Sequence, residues 1–177
     1  MYFRKLEKGF YDLKGDGNPK IVTDLMVRVK VREKVINEMS LYDKYDVPSG
    51  ERPEDTAFKH FGSAEYHWVV LMTNNITDAY YDWPMSEQNF ETFLQDKYTN
   101  PDAIHHYETT QSSGKTKANG PDDYSYLVEV NSDAAGAQSI SNREYEQRLQ
   151  DEKRQINLLN PSYLNTFIEE FNKLVRN

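Results

Sequence analysis

The apolar residues of this chain fall into short runs with differing periods, and each run predicts an element. In "LYDKYDV" (41–47), Leu41, Asp43, Tyr45 and Val47 share one face of an expected strand, and "PSGE" turns the chain after it. A helix is expected to start at Pro53. Proline in the first helical position gives up no backbone hydrogen bond, and Glu54 and Asp55 suit the positive end of the helix dipole. Ala57, Phe58 and Phe61 form its expected buried stripe, and Gly62 its left-handed stop. A second helix is expected from Ala64 to Thr73, ending at "NN". Its residues Trp68 to Met72 are continuously apolar, so most of its circumference should be covered.

Ser86 is placed to cap a third helix, "EQNFETFLQDKY", with Phe90, Phe93 and Leu94 on one face. Residues 99–141 are polar, and "QSSGKTKANGPDD" and "NSDAAGAQSIS" have loop composition. Between them "YSYLVEV" reads as a strand, with "IHHYETT" as its hairpin partner. Ser141 and Glu144 predict a capping box for a helix through "REYEQRLQDEKR". Apart from Tyr145 and Leu149 that helix has few apolar residues, so it should be exposed or lie in a groove. "QINLLN" is a short strand. Asn160 and Pro161 then cap a last helix whose Leu164, Phe167, Ile168, Phe171, Leu174 and Val175 follow helical spacing. At the other end, "YDLKGDGNPKIVTDL" reads as an arm with a turn at Gly15 to Pro19. In the next segment Val27, Val29 and Val31 alternate with Arg28, Lys30 and Arg32, while "REKVINEM" suits a helix, and both readings stay open.

Composition narrows the function classes. A chain of 177 residues supports one sizeable core with appendages. Its formal net charge of -8 argues against binding a phosphate backbone, but leaves room for a protein partner with a basic face. Without cysteine it forms neither disulfides nor thiolate metal sites. The first residues, "MYFRKLEKGFYDLKG", lack the apolar centre of a signal peptide, and no apolar run approaches membrane-spanning length. The chain is therefore expected to be made as a cytosolic protein that engages no membrane. Thirteen tyrosines are many for so polar a chain, and tyrosine suits surfaces that become buried against partners.

Candidate chemistry is thin. "DLKGDGNPK" suggests a calcium loop, but counted from Asp12 the third and twelfth positions are Lys14 and Thr23, where an EF-hand needs an oxygen ligand and a bidentate Glu. Gly62 separates His60 from His67, and His105 and His106 should point to opposite faces of a strand. Asp122 and Asp123 are paired carboxylates with no indicated cleft. No nucleophile motif occurs. No catalytic residue, cofactor or metal is expected, and the chain is read as no enzyme. The feature that remains is "EYHWVVLMTNNITDAYYDW" (65–83). Val69 to Met72 read as core. Tyr80, Tyr81 and Trp83 in one loop exceed what a small core needs, and Asp78 and Asp82 among them disfavour nucleic acid. Trp68, Tyr80, Tyr81, Trp83, Phe167 and Phe171 are the core or interface anchors, the rings and the C-terminal stripe being expected to be covered by other polypeptides.

The order of strand, turn, "RPEDTAFKHFG", second helix, "NN" and a loop ending in "WP" resembles the LysM module, a strand-helix-helix-strand unit. Together, "ERPEDTAFKHFG", "EYHWVVLMTNNITDAYYDW" and "KRQINLLNPSYLNTFIEEF" resemble the small baseplate wedge protein of T-even-like contractile-tailed phages, the protein 53 family, from about Val22 to Val175. The resemblance implies an α+β fold with a LysM-like core. Residues 1–40 are the N-terminal arm, 41–83 the core, 84–150 an insertion, and 151–177 a returning strand and C-terminal amphipathic helix. "RQINLLN" is expected to lie beside "LYDKYDV". The family implies a non-catalytic virion protein of the tail baseplate, assembled in the host cytoplasm. Six copies would bind the other wedge subunits and help join neighbouring wedges. A peptidoglycan-binding LysM module is the alternative; the missing signal peptide and missing repeats stand against it.

Overall fold

The computed structural model describes residues 5–26, 29–31, 35, 38–118 and 120–175. The open reading of 27–39, strand or helix, lies largely outside the described residues. The chain is α+β and divides into two compact units, residues 1–84 with 153–177, and residues 85–152.

In the first unit, β1 (Lys8–Tyr11) and β2 (Lys20–Thr23) form an antiparallel hairpin. The turn between them is ordered by Asp12. Its carboxylate accepts the N–H groups of Gly15 and Gly17 at 2.8 Å, Lys14 at 3.2 Å and Asp16 at 3.3 Å. Gly15 and Gly17 both take positive φ, the left-handed region that glycine enters without steric cost, so the chain can wrap around that carboxylate. Led by the Gly17 bond, these donors hold the Asp12 carboxyl below its usual range. The loop that suggested calcium thus spends its acidic side chain on its own backbone.

β3 (Tyr42–Asp46) pairs antiparallel with β7 (Gln155–Leu159), Tyr42 facing Leu159 and Tyr45 facing Ile156. The expected return of "RQINLLN" to "LYDKYDV" is present. Between them in sequence come α1 (Pro53–Phe61) and α2 (His67–Thr73), the latter preceded by a 3-10 turn at Ala64–Tyr66. α1 starts at Pro53, with the Asp55 carboxylate accepting the Arg52 N–H at 3.2 Å, and stops at Gly62, whose φ is 77°. One part of its expected stripe is different. Ala57 is fully buried, but Phe58 is 63% exposed, and Pro53 and Thr56 are buried instead. Phe58 follows Ala57 by one position, about 100° around the helix, so the two do not share a face.

Two apolar clusters fill this unit. Val47, Ala57, Val70, Trp83, Ile156 and Leu158 form one. Leu6, Trp68, Val69, Leu159, Leu164, Phe171 and Val175 form the other. Here α5 (Leu164–Val175), entered through a turn at Pro161–Tyr163, lays its stripe on Trp68. The Phe171 and Phe167 rings stand 4.7 and 6.1 Å from the indole. The chain covers most of the C-terminal stripe itself, contrary to the expectation that other polypeptides do so; Leu174 alone of its large members is exposed.

The "NN" at the end of α2 does more than stop a helix. The Asn74 side chain donates to the Asn157 carbonyl at 2.8 Å and accepts the Asn157 N–H at 2.8 Å, so it meets β7 as a neighbouring strand would. A further Nδ2 bond reaches the Val70 carbonyl at 2.8 Å.

The second unit contains α3 (Glu87–Lys97), a three-stranded antiparallel sheet and most of α4 (Asn142–Arg154). Ser86 caps α3 by accepting the Asn89 N–H at 3.3 Å, and Phe90 and Leu94 are buried. The sheet runs β5 (Tyr126–Val130), β4 (Ile104–Gln111), β6 (Gln138–Ser141). The β4–β5 hairpin is as expected; β6 lies in a stretch read as loop. The register shifts between Ile104 and His106, which breaks side-chain alternation. His105 and His106 therefore meet, Nδ1 to Nδ1 at 2.8 Å, and do not point apart as expected.

α4 is not a plainly exposed helix. Its buried residues are Glu146 and Gln150, while Leu149 stays partly exposed. Glu146 accepts from Lys97 Nζ at 2.6 Å and Tyr98 Oη at 2.7 Å. Burial alone would raise its carboxyl, but those two donors and the Lys97 charge outweigh burial and leave it lowered. Gln150 accepts the Met85 N–H at 3.0 Å, and Arg148 holds buried Glu108 by 2.9 Å bonds to both oxygens.

Asn74→Ala removes the acceptor of the Asn157 N–H and leaves the Asn157 carbonyl only the long 3.5 Å bond from Thr73 Oγ1, and is expected to destabilise the first unit by about 2–3 kcal/mol. Asn74→Asp keeps the acceptor for the Asn157 N–H but sets a carboxylate oxygen against the Val70 and Asn157 carbonyls, so it should destabilise at least as much. Chemical denaturation followed by tryptophan fluorescence reads both, since Trp68 and Trp83 lie in that unit.

Candidate protein-contact surface

Residues 77–83 follow α2, and their backbone is held by their own acidic side chains. Asp78 Oδ1 accepts the N–H groups of Tyr80 at 2.8 Å and Tyr81 at 3.3 Å. Asp82 Oδ2 accepts those of Asp78 at 3.1 Å and Thr77 at 3.3 Å, and the Asp82 N–H donates to the Asp78 carbonyl at 2.8 Å. The Lys153 ammonium donates to the Tyr81 carbonyl at 2.8 Å. Such side-chain-to-backbone bonds suit Asp in turns because its short carboxylate reaches N–H groups two to five positions away.

The rings within this loop have two fates. Trp83 is 6% exposed, and its indole N–H donates to the Glu51 carbonyl at 2.8 Å. Tyr80 and Tyr81 are 81% and 65% exposed and meet edge to face at 5.0 Å. Of the six anchors, Trp68, Trp83 and Phe171 are buried in the chain's own core and Phe167 is half-buried against it, while Tyr80 and Tyr81 stand outside. The loop is thus a rigid mount, one indole rooted in the core and two phenol rings presented outward.

The root of the mount is a polar cluster. Glu51 accepts from Tyr45 Oη at 2.9 Å, Thr56 Oγ1 at 2.7 Å and Lys59 Nζ at 2.5 Å. Burial alone would raise the Glu51 carboxyl; the bonds from Lys59, Thr56 and Tyr45 outweigh it and hold it below its usual range.

The other candidate residues do not converge. His60 Nε2 meets the Leu159 carbonyl at 2.9 Å and His67 Nδ1 the Ala64 carbonyl at 2.9 Å, so each is engaged locally. His105 stacks on Tyr145 at 4.0 Å. Asp122 sits in an isolated bridge to Lys115, and Asp123 accepts the Ser125 N–H at 2.9 Å. Bonding to Ser125 holds the Asp123 carboxyl low, the wrong direction for a general acid. Among the described residues no three His, Asp or Glu side chains gather as metal ligands, and no helix is long and apolar enough to cross a membrane. In the second unit an open cleft of about 400 Å³ lies between α3 and α4, lined by Glu87, Glu91, Arg143, Glu144 and Asp151 among others, with Arg143 already paired to Glu91 and Asp102.

Fold and surface together define a small α+β protein that presents firmly mounted aromatic rings. It belongs to the phage base plate wedge protein 53 family, whose model matches residues 14–115. Membership makes it a structural protein of the phage baseplate, located in the virion tail. The matched stretch includes α1, α2 and the tyrosine loop; "KRQINLLNPSYLNTFIEEF", which enters α5, lies beyond it. No curated protein matches the chain significantly.

Because the folded Glu51 carboxyl lies below its usual 4.5, it stabilises the fold above about pH 4.5, and that contribution is lost as pH falls through its folded value. Urea midpoints measured from neutral to acid pH should therefore fall less steeply for Glu51→Gln than for the wild type, from a lower starting point.

Proposed function

We propose that this chain is a non-enzymatic assembly subunit of a contractile-tail baseplate wedge, assembled in the host cytoplasm. It binds other wedge subunits and helps join neighbouring wedges, six copies to a baseplate. The observation that carries this is the Tyr80–Tyr81 pair, exposed on a loop whose conformation is already set. A loop backbone ordered before contact loses little conformational freedom on binding, and tyrosine is enriched among residues that dominate interface energies. The antiparallel β3–β7 pair with α1 and α2 between its strands in sequence supports a LysM-like unit used here for protein contact.

Mixing the purified chain with the other wedge subunits should yield a co-migrating complex on size exclusion. Tyr80→Ala and Tyr81→Ala are each expected to weaken it tenfold or more, about 1.4 kcal/mol, while shifting thermal stability by no more than about 0.5 kcal/mol. Trp83→Ala should do the reverse, destabilising the fold itself by about 3–5 kcal/mol. Equal losses of stability and assembly in the tyrosine variants would return both rings to the core. Retention on purified cell wall, with no binding to wedge subunits, would give the loop to a glycan instead.

A further inference from the structure

The β1–β2 hairpin has a property that the tyrosine loop does not explain. Every residue of β1 and three of the four in β2 are exposed, yet the hairpin is rich in large apolar side chains. Phe10, Leu13, Ile21, Leu25 and Met26 are 65 to 92% exposed, and Tyr11 is 58% exposed. The register sets Phe10 opposite Ile21 on one face, while Tyr11 and Val22 belong to the other. A hairpin resting on its own domain would have one apolar face and one polar face. This one is apolar on both.

Its root is fixed. Leu6, just before β1, is buried with Trp68 and Phe171. Lys5 lies over the Trp68 ring at 5.4 Å, and the Asp24 N–H closes the base onto the Glu7 carbonyl at 2.8 Å. The charges on the two strands are both lysines. Lys8 lies on the Phe10 face and Lys20 on the Tyr11 face, in a chain whose net charge is -8. Taking about 150 Å² for a fully exposed large side chain, the six residues offer roughly 650 Å² of apolar surface. Spread over both faces and the turn, that is near the ~800 Å² a standard interface buries per partner.

We infer that the hairpin is an insertion arm, buried on both faces in an apolar slot of another wedge subunit whose rim carries carboxylates for Lys8 and Lys20. A flat docking surface would cover only one face; a slot covers both and also takes up the open edges of the two strands. The inference rests on the wedge-subunit reading and adds a second contact, distinct from the tyrosine loop, with a partner surface of specified chemistry.

The test uses the full chain and the purified wedge subunits of the same phage, each titrated singly. Phe10→Ser with Ile21→Ser should weaken binding to one subunit at least tenfold without moving the urea midpoint of the free chain. Lys8→Glu with Lys20→Glu, which alters no apolar position and so carries the test should the serine variant lose its strands, should weaken the same complex. The wild-type complex should also weaken with added salt. Unchanged affinity in both variants overturns the arm. So does concentration-dependent self-association of the wild type that the serine variant abolishes, because the slot would then belong to a second copy. A wild-type chain that binds no wedge subunit sinks the functional reading and the arm with it, an outcome distinct from failure of the variants alone.

Discussion

The closing of β7 onto β3 is the constraint from which the rest of the first unit follows. The ladder pairs Tyr42 with Leu159, and just beyond it the Arg154 Nε–H donates to the Val47 carbonyl across 107 residues of chain. It puts Ile156 and Leu158 against Val47 and Val70, and Leu159 against Trp68 and Leu164. Hydrogen bonds between two short strands are weak by themselves, and an isolated pair is marginal in water. Here the pair is sewn in from the side. Asn74 engages both backbone groups of Asn157, and His60 meets the Leu159 carbonyl, so each helix is tied to the returning strand by a polar side chain as well as by packing. The tyrosine loop inherits its position from this arrangement, because Trp83 is bonded to Glu51 on the turn that follows β3.

The readable parts of the sequence were those where one physical requirement acts locally. Pro53 and Gly62 bound a helix because their backbone preferences allow little else, and the 3, 4, 7 spacing from Leu164 to Val175 implies a helix in any context. The strand in "QINLLN" and its partner were legible from short apolar runs aided by the resemblance. What escaped was set by tertiary context. β6 is a strand because β4 offers an open edge, and "QSIS" has no pattern of its own to announce it. The two histidines meet because of a register shift that no period-two rule contains. α4 buries Glu146 and Gln150 because donors from Lys97, Tyr98 and Met85 wait for them, and a hydrophobicity pattern scores such positions as solvent.

The site was legible in half. Crowding of rings in 65–83 marked the right segment, but composition does not separate a ring that roots a loop from one that the loop displays. Trp83 and Tyr81 lie two positions apart and differ completely in exposure, the difference being the indole N–H that finds the Glu51 carbonyl. In the sequence Asp78 and Asp82 count only as charges, while their structural part is to accept backbone N–H groups. Likewise the apolar stripe of α5 has the spacing of a docking helix and is in fact the lid of its own core.

The distance between the two strands of that first ladder bears on how the chain emerges from the ribosome. Once α2 has been made, about a hundred more residues must follow before α5 exists to cover Trp68, roughly 5–20 s at about 5–20 residues per second. During that interval an indole and two valines lack part of their cover. Completion of the Trp68 cluster therefore waits on the last helix to be made.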